Sequence, residues 1–406
     1  MLPVSKVQKL LLGVFLLLPL LPGARMVQRH VETGRWNAEP QLFGASLSVE
    51  PVAWTTASWF SGQFQERFAN WFGVRFGHRR NLVMTYNQFL FSVFRVSHMS
   101  GGSVRVGPNG WLYEKGYLDE YFDVPRAPKT DSWRGHAEAL VKLDEVCRER
   151  GKILVVMVSP SKAAAVPGEA PRWFQKHGIR PDRIYPQWIS FLLDRNIPVI
   201  DGPEILHRLA VNPDVPDTFP KGGTHWNDHA AAFVVRELVH LVEPRLGQPP
   251  PFLEIGPHHI DDHPTGSDAD LANTLNLPGE SLRYPVLRFD RTITQSETCR
   301  GPRVFWVGSS FSWNALAMAK TDSARLFSEL TFGYYHKRFL AWNESGTLVG
   351  LPGRFSALPL LDSVDLVVVE VNESAIGDVD YVPRFANDAF LWLQSAPKLA
   401  RQGPQP

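Results

Sequence analysis

Four apolar runs constrain this 406-residue chain more than any other feature. They are ILVVMV at 153–158, IPVID at 197–201, RVFWVG at 303–308 and VDLVVVEVN at 364–372. None shows the strict apolar–polar alternation of a half-solvated strand, so each reads as a strand buried on both faces. Amphipathic segments separate them, among them WRGHAEALVKLDEVCRERG at 133–151, YPQWISFLLDRN at 185–196 and DHAAAFVVRELVHLV at 228–242. Strands alternating with helices predict an α/β fold with a parallel sheet flanked by helices. In such sheets reactive groups gather at the carboxyl ends of the strands. Here those ends carry Ser159 to Lys162, Asp201-Gly202, Gly308-Ser309-Ser310 and Asn372-Glu373.

Composition narrows the function classes. The formal net charge is +1 and no long basic block occurs, so a nucleic-acid partner is unsupported. Cys147 and Cys299 match no zinc spacing, and Cys147 falls on an apolar helix face, as a buried thiol would. His225 and His229 share a helical spacing but lack an HExxH pattern, so neither a metal nor a cofactor is expected. Thirteen Trp and 25 Phe supply core volume and platforms on which sugar rings could stack.

At the N-terminus, Lys6 and Lys9 precede an uncharged apolar run at 10–24. This reads as a signal peptide or signal anchor over 1–24, with the body exported to an extracytoplasmic, periplasm-like space. Residues 25–104 form a helical, aromatic-rich region in which Phe64, Phe68, Trp71 and Phe72 make one stripe, expected to pack in a core. The catalytic domain is expected over 105–395, with a proline-rich surface linker at 243–257 and a tail at 396–406.

In VGSSFS at 307–312, Gly308 permits a tight strand-to-helix turn and Ser310 stands where the helix begins. By itself that is as good a helix cap as a nucleophile. A nucleophile needs a base, and His225 lies in the Gly-rich segment GGTHWN at 222–227.

With these motifs in order, GPNGWLY at 107–113, VSPSKAAAVP at 158–167, GGTHWN and VGSSFS, the sequence resembles the AlgX/AlgJ-like family of SGNH-type polysaccharide O-acetyltransferases, such as those of alginate biosynthesis. PTGSDADLANTLNL at 264–277 and VVVEVNES at 367–374 are similar to later family blocks. The resemblance implies an SGNH-hydrolase-like sheet with permuted motif order, His before Ser. It implies Ser310 as nucleophile, its N–H as an oxyanion donor, and His225 as general base. It further implies a polysaccharide acceptor and an acetyl donor delivered by a multi-pass membrane acyltransferase.

Two positions depart from the family pattern. Its Asp two residues before the histidine is here Gly223, and its Asp or Thr before the serine is Ser309. For the missing acid Asp201, Asp217 and Asp228 are all candidates, and the sequence does not choose among them. Ser309, Trp226, Lys162 and Asn372 are candidate site-lining residues. Trp226 either packs the loop or stacks a sugar, Lys162 either lines the site or is a solvated turn lysine, and Asn372 either donates to an oxyanion or caps its strand. Two other readings stay open: a carbohydrate esterase using the same Ser and His, and a non-catalytic polysaccharide-binding subunit.

Overall fold

The computed structural model describes residues 6–17, 20–38, 42–43, 53–97, 103–126, 132–212, 217–279, 283–295 and 298–395. The expected tail at 396–406 and parts of the leader lie outside them. Eleven strands are described: β1 (Val104–Val106), β2 (Leu112–Glu114), β3 (Ile153–Ser159), β4 (Val199–Asp201), β5 (Phe252–Asp261), β6 (Val286–Thr294), β7 (Arg303–Gly308), β8 (Glu329–Tyr334), β9 (Arg338–Trp342), β10 (Leu348–Gly350) and β11 (Leu366–Asn372).

Seven of them form the central sheet, in the order β10-β9-β8-β7-β11-β3-β4. All four apolar runs are strands of this sheet, and the pairs β4–β3, β3–β11, β11–β7 and β7–β8 are parallel. Side chains alternate between the two faces, which is why the runs are apolar throughout. Leu154, Val156, Val158, Val367, Val369 and Val371 pack on one face, in a core shared with the helices Ser132–Glu149, Ile184–Leu193 and Tyr381–Ser395. Val155, Met157, Val304, Trp306 and Val368 pack on the other, with the helices Asp228–Val242 and Ser312–Met318. Each such side chain, buried from water, contributes about 1.5–3 kcal/mol. Cys147 is fully buried, as expected, and burial pushes its thiol up to about 12.

Register fixes the working end of the sheet. Ser159 pairs with Asn372, and Gly308 pairs with Tyr334. The carboxyl ends of β3, β11, β7 and β8 therefore lie along one edge, as the topology predicts.

The structure differs from the sequence reading in three places. The sheet continues beyond β8 through the antiparallel strands β9 and β10. The proline-rich segment is no simple surface linker, because β5 begins at Phe252 and pairs antiparallel with β6. The aromatic stripe is not a core. Phe68 remains 45% exposed, and in the helix Gln63–Arg75 only Val74 is buried. Phe64, Trp71 and Phe72 stack around Phe68 instead.

The chain divides into two compact units. One comprises Met1–Gly102 with Ala272–Leu282, and the other Ser103–Leu271 with Arg283–Pro406. Within the first, Asn87 Nδ2 donates to Leu275 O (2.9 Å) and Phe43 N to Asn276 Oδ1 (2.7 Å), tying the distant 272–282 segment to the N-terminal part.

Candidate active site

Strand β7 ends at Gly308, where the chain turns sharply. A β-carbon there would stand 2.1 Å from Ser312 Oγ and 2.6 Å from Glu370 Oε2, so only glycine fits. The turn is anchored by Glu370, fully buried in β11. Its carboxylate accepts from Ser309 N (2.6 Å), Ser309 Oγ (2.9 and 3.1 Å), Ser312 Oγ (3.0 Å) and Ser159 Oγ (2.5 Å). Burial nonetheless pushes the Glu370 carboxyl up, against the pull of these donors. Ser309 is thus spent on the scaffold. Ser310, the next residue, keeps its hydroxyl for the histidine.

His225 lies 2.8 Å from Ser310 Oγ through Nε2. Its Nδ1 meets Asp270 Oδ2 in a short contact. An ionised carboxylate only accepts, so Nδ1 carries the ring proton and Nε2 is left to accept from the serine hydroxyl. Asp270 Oδ1 accepts the backbone N–H groups of Thr224 and Leu271, both at 2.7 Å, which anchors the carboxylate. The order Ser–His–Asp, each within hydrogen-bond reach, can activate a hydroxyl for attack on an ester carbonyl. The phenyl ring of Phe311 packs 4.7 Å from the imidazole. Burial pushes the carboxyl of the neighbouring Glu114 up.

The aspartate that meets His225 is none of the three offered from the sequence. Asp201 accepts from Tyr185 Oη (2.6 Å) and caps the helix Gly202–Ala210 through Glu204 N. Asp217 offers its carbonyl to Asn227 Nδ2 (2.6 Å). Asp228 accepts from Asn314 Nδ2 (2.8 Å), joining its helix to the helix Ser312–Met318. Asp270 comes instead from the PTGSDADL segment, 45 residues after the histidine. That segment is held by a capping box between Thr265 and Asp268, by Arg288 on Asp268 (2.7 Å) and by Tyr284 Oη on Asp268 O (2.7 Å).

The remaining candidates also have definite places. Trp226 is fully buried and donates Nε1 to Phe311 O (3.1 Å), so it packs the loop and has no face free for a sugar. Asn372 donates to Pro160 O (3.0 Å) and accepts from Ser374 N, tying β11 to β3 as a strand cap. Lys162 is not a solvated turn lysine: it is 1% exposed, and its ammonium donates to Pro220 O, Lys221 O and Gly223 O.

A mainly parallel sheet with a serine just beyond a central strand, and a histidine preceding it in the chain, defines an SGNH-hydrolase-like α/β domain. Residues 104–321, more than half of the chain, match the SGNH hydrolase-like domain of the acetyltransferase AlgX, and the chain belongs to that family. Among solved structures it is similar to the O-acetyltransferase domain of Pseudomonas putida AlgJ, at 19% identity over 70% of this chain and 99% of that one, with a TM-score of 0.45. It is also similar to Pseudomonas aeruginosa AlgX (14% identity, 72% of this chain and 67% of that one, TM-score 0.47) and Bacillus cereus PatB1 (11%, 69% and 98%, TM-score 0.40). No curated protein matches the sequence.

Proposed function

We propose that this chain is an O-acetyltransferase that acetylates an exported polysaccharide through an acyl-serine intermediate. The observation that supports it most is His225 standing between Ser310 Oγ and Asp270. In the first half-reaction Ser310 Oγ attacks the acetyl carbonyl while its proton moves to His225 Nε2. The bond to the leaving group breaks, and His225 returns the proton to it. In the second, His225 takes the proton of a sugar hydroxyl, the sugar oxygen attacks the acetyl-serine, and the proton returns to Ser310 Oγ. Asp270 holds the ring in the required tautomer and stabilises the imidazolium. The Ser310 N–H is the proposed oxyanion donor.

Gly223 in the family's acid position motivates a non-catalytic reading, and Asp270 against His225 Nδ1 favours the catalytic one. Among the described residues one stretch, Leu11–Thr33, is long and apolar enough to cross a membrane. It supports an extracytoplasmic, membrane-tethered location, where a multi-pass acyltransferase would supply the acetyl donor.

The test is acetyl transfer by the purified chain from a chromogenic ester to candidate surface oligosaccharides. Acetylated sugar, together with an acetyl group trapped on Ser310, is the expected result, and both should vanish in Ser310→Ala. Free acetate with every acceptor would convert the reading to an esterase. Absence of any acyl-Ser310 would overturn it.

A further inference from the structure

Three of the sequence motifs meet at one atom that the Ser310–His225–Asp270 row does not use: the ammonium nitrogen of Lys162. It donates to Pro220 O (2.7 Å), Lys221 O (2.9 Å) and Gly223 O (2.8 Å), all in the loop that leads into His225. The same nitrogen lies 5.0 Å from the ring centroid of Trp111 and 5.3 Å from that of Tyr113, both of the GPNGWLY turn. Lys221 O also accepts Leu112 N (3.0 Å), so the turn and the loop are joined twice. The lysine backbone is itself fixed. Ser161 caps its helix through Ala164 N, and Ser161 N donates to Glu373 Oε1 (2.7 Å) at the end of β11.

This is an expensive arrangement to keep. A buried ammonium loses its hydration, and no carboxylate forms an ion pair with Lys162 among the described residues. Burial accordingly draws its pKa well below the ordinary lysine value, with Asp270 the charge that opposes the shift. If filling volume were the only need, methionine would serve without that cost. An ammonium has three donors, and three peptide carbonyls converge on it. Such carbonyls repel one another unless a cation gathers them, and these three belong to the residues just before Thr224 and His225.

We propose that Lys162 is the positioning residue for the general base: its ammonium sets the curvature of 220–223 so that Thr224 N and His225 Nδ1 reach Asp270 together. The role rests on the catalytic reading of Ser310, His225 and Asp270. Lys162 touches no reacting atom. Its effect passes through the loop.

The experiment uses the full chain carrying Lys162→Met or Lys162→Gln, with thermal unfolding followed in parallel. Two readouts are taken. One is the rate at which phenylmethylsulfonyl fluoride labels Ser310. The other is the low-field proton resonance of His225 Nδ1–H, assigned by its loss in His225→Ala. Lys162→Met is expected to slow labelling about 10²-fold, the size of effect a displacement of about 1 Å produces, and to broaden the resonance. Lys162→Gln retains two donors and should fall between. If Lys162→Met does not fold, Lys162→Gln carries the comparison. Folded variants with wild-type labelling and an unchanged resonance would overturn the proposal. Wild-type protein that is not labelled at Ser310 would overturn the catalytic reading instead, and the resonance would still report whether Lys162 sets the His225–Asp270 contact.

Discussion

The carbonyl oxygen of Ser267 lies 2.2 Å from the point where a β-carbon on Gly223 would stand, and Asp268 O lies 2.9 Å from it. The backbone leading to Asp270 therefore occupies the space that a side chain at the family's usual acid position would need. A side chain at position 223 and this course of the backbone therefore exclude one another. Gly223→Asp should not restore a triad. It should cost about 1–3 kcal/mol through overpacking, and the double variant Gly223→Asp/Asp270→Asn should be no more active than Asp270→Asn alone. Chemical denaturation and acetyl-ester turnover check both parts.

Asp270→Asn keeps the shape but presents an amide to Nδ1, favouring the wrong tautomer. A fall of roughly 10⁴-fold in kcat is expected, the size seen for this role in a Ser–His–Asp triad. Asp201→Asn, Asp217→Asn and Asp228→Asn should each leave turnover within about tenfold of wild type. Loss of activity in one of those three with Asp270→Asn intact would reassign the acid.

Glu370 yields a pH prediction. Its folded pKa is raised by burial, so between the unfolded value and the folded one the native state holds the proton more tightly. That contribution to stability is present below the unfolded pKa and is lost as pH rises through the folded pKa. Glu370→Gln should therefore flatten the decline between the two. It should also cost about 1–3 kcal/mol at neutral pH, since its amide N–H groups would face the hydroxyl and N–H donors of Ser159, Ser309 and Ser312. Urea midpoints from pH 4 to 7, compared with wild type, measure both effects.

Trp226→Phe removes the bond to Phe311 O and should cost about 1 kcal/mol of stability. The KM for the sugar acceptor should not change, because the indole has no exposed face. A tenfold rise in that KM would mean that the ring contacts the sugar.

What could be read from the sequence follows from how local each signal is. Strands β3, β7 and β11 are buried on both faces, so their apolar runs stand out without knowledge of any partner. Ser310 follows one such run, and His225 lies in a short glycine-marked loop, so both were visible. Asp270 was not, since nothing in GSDADL distinguishes an aspartate that meets a histidine from one that closes a capping box, as Asp268 does. The β5–β6 pair escaped for another reason: prolines and the polar residues His258, His259 and Asp261 resemble loop chemistry when one face is solvated. The stripe through Phe68 had helical spacing, but periodicity reports a common face and not what covers it.

Asp270 stands two residues before the chain passes into Ala272–Leu282, which belongs to the N-terminal compact unit. A fragment trimmed to begin at Ser103 would retain the serine, the histidine and the aspartate, yet would strip Leu275 and Asn276 of their hydrogen-bonding companions Asn87 and Phe43. A cut placed at Ser103 therefore divides a compact unit, since 272–282 belongs with residues ahead of the cut.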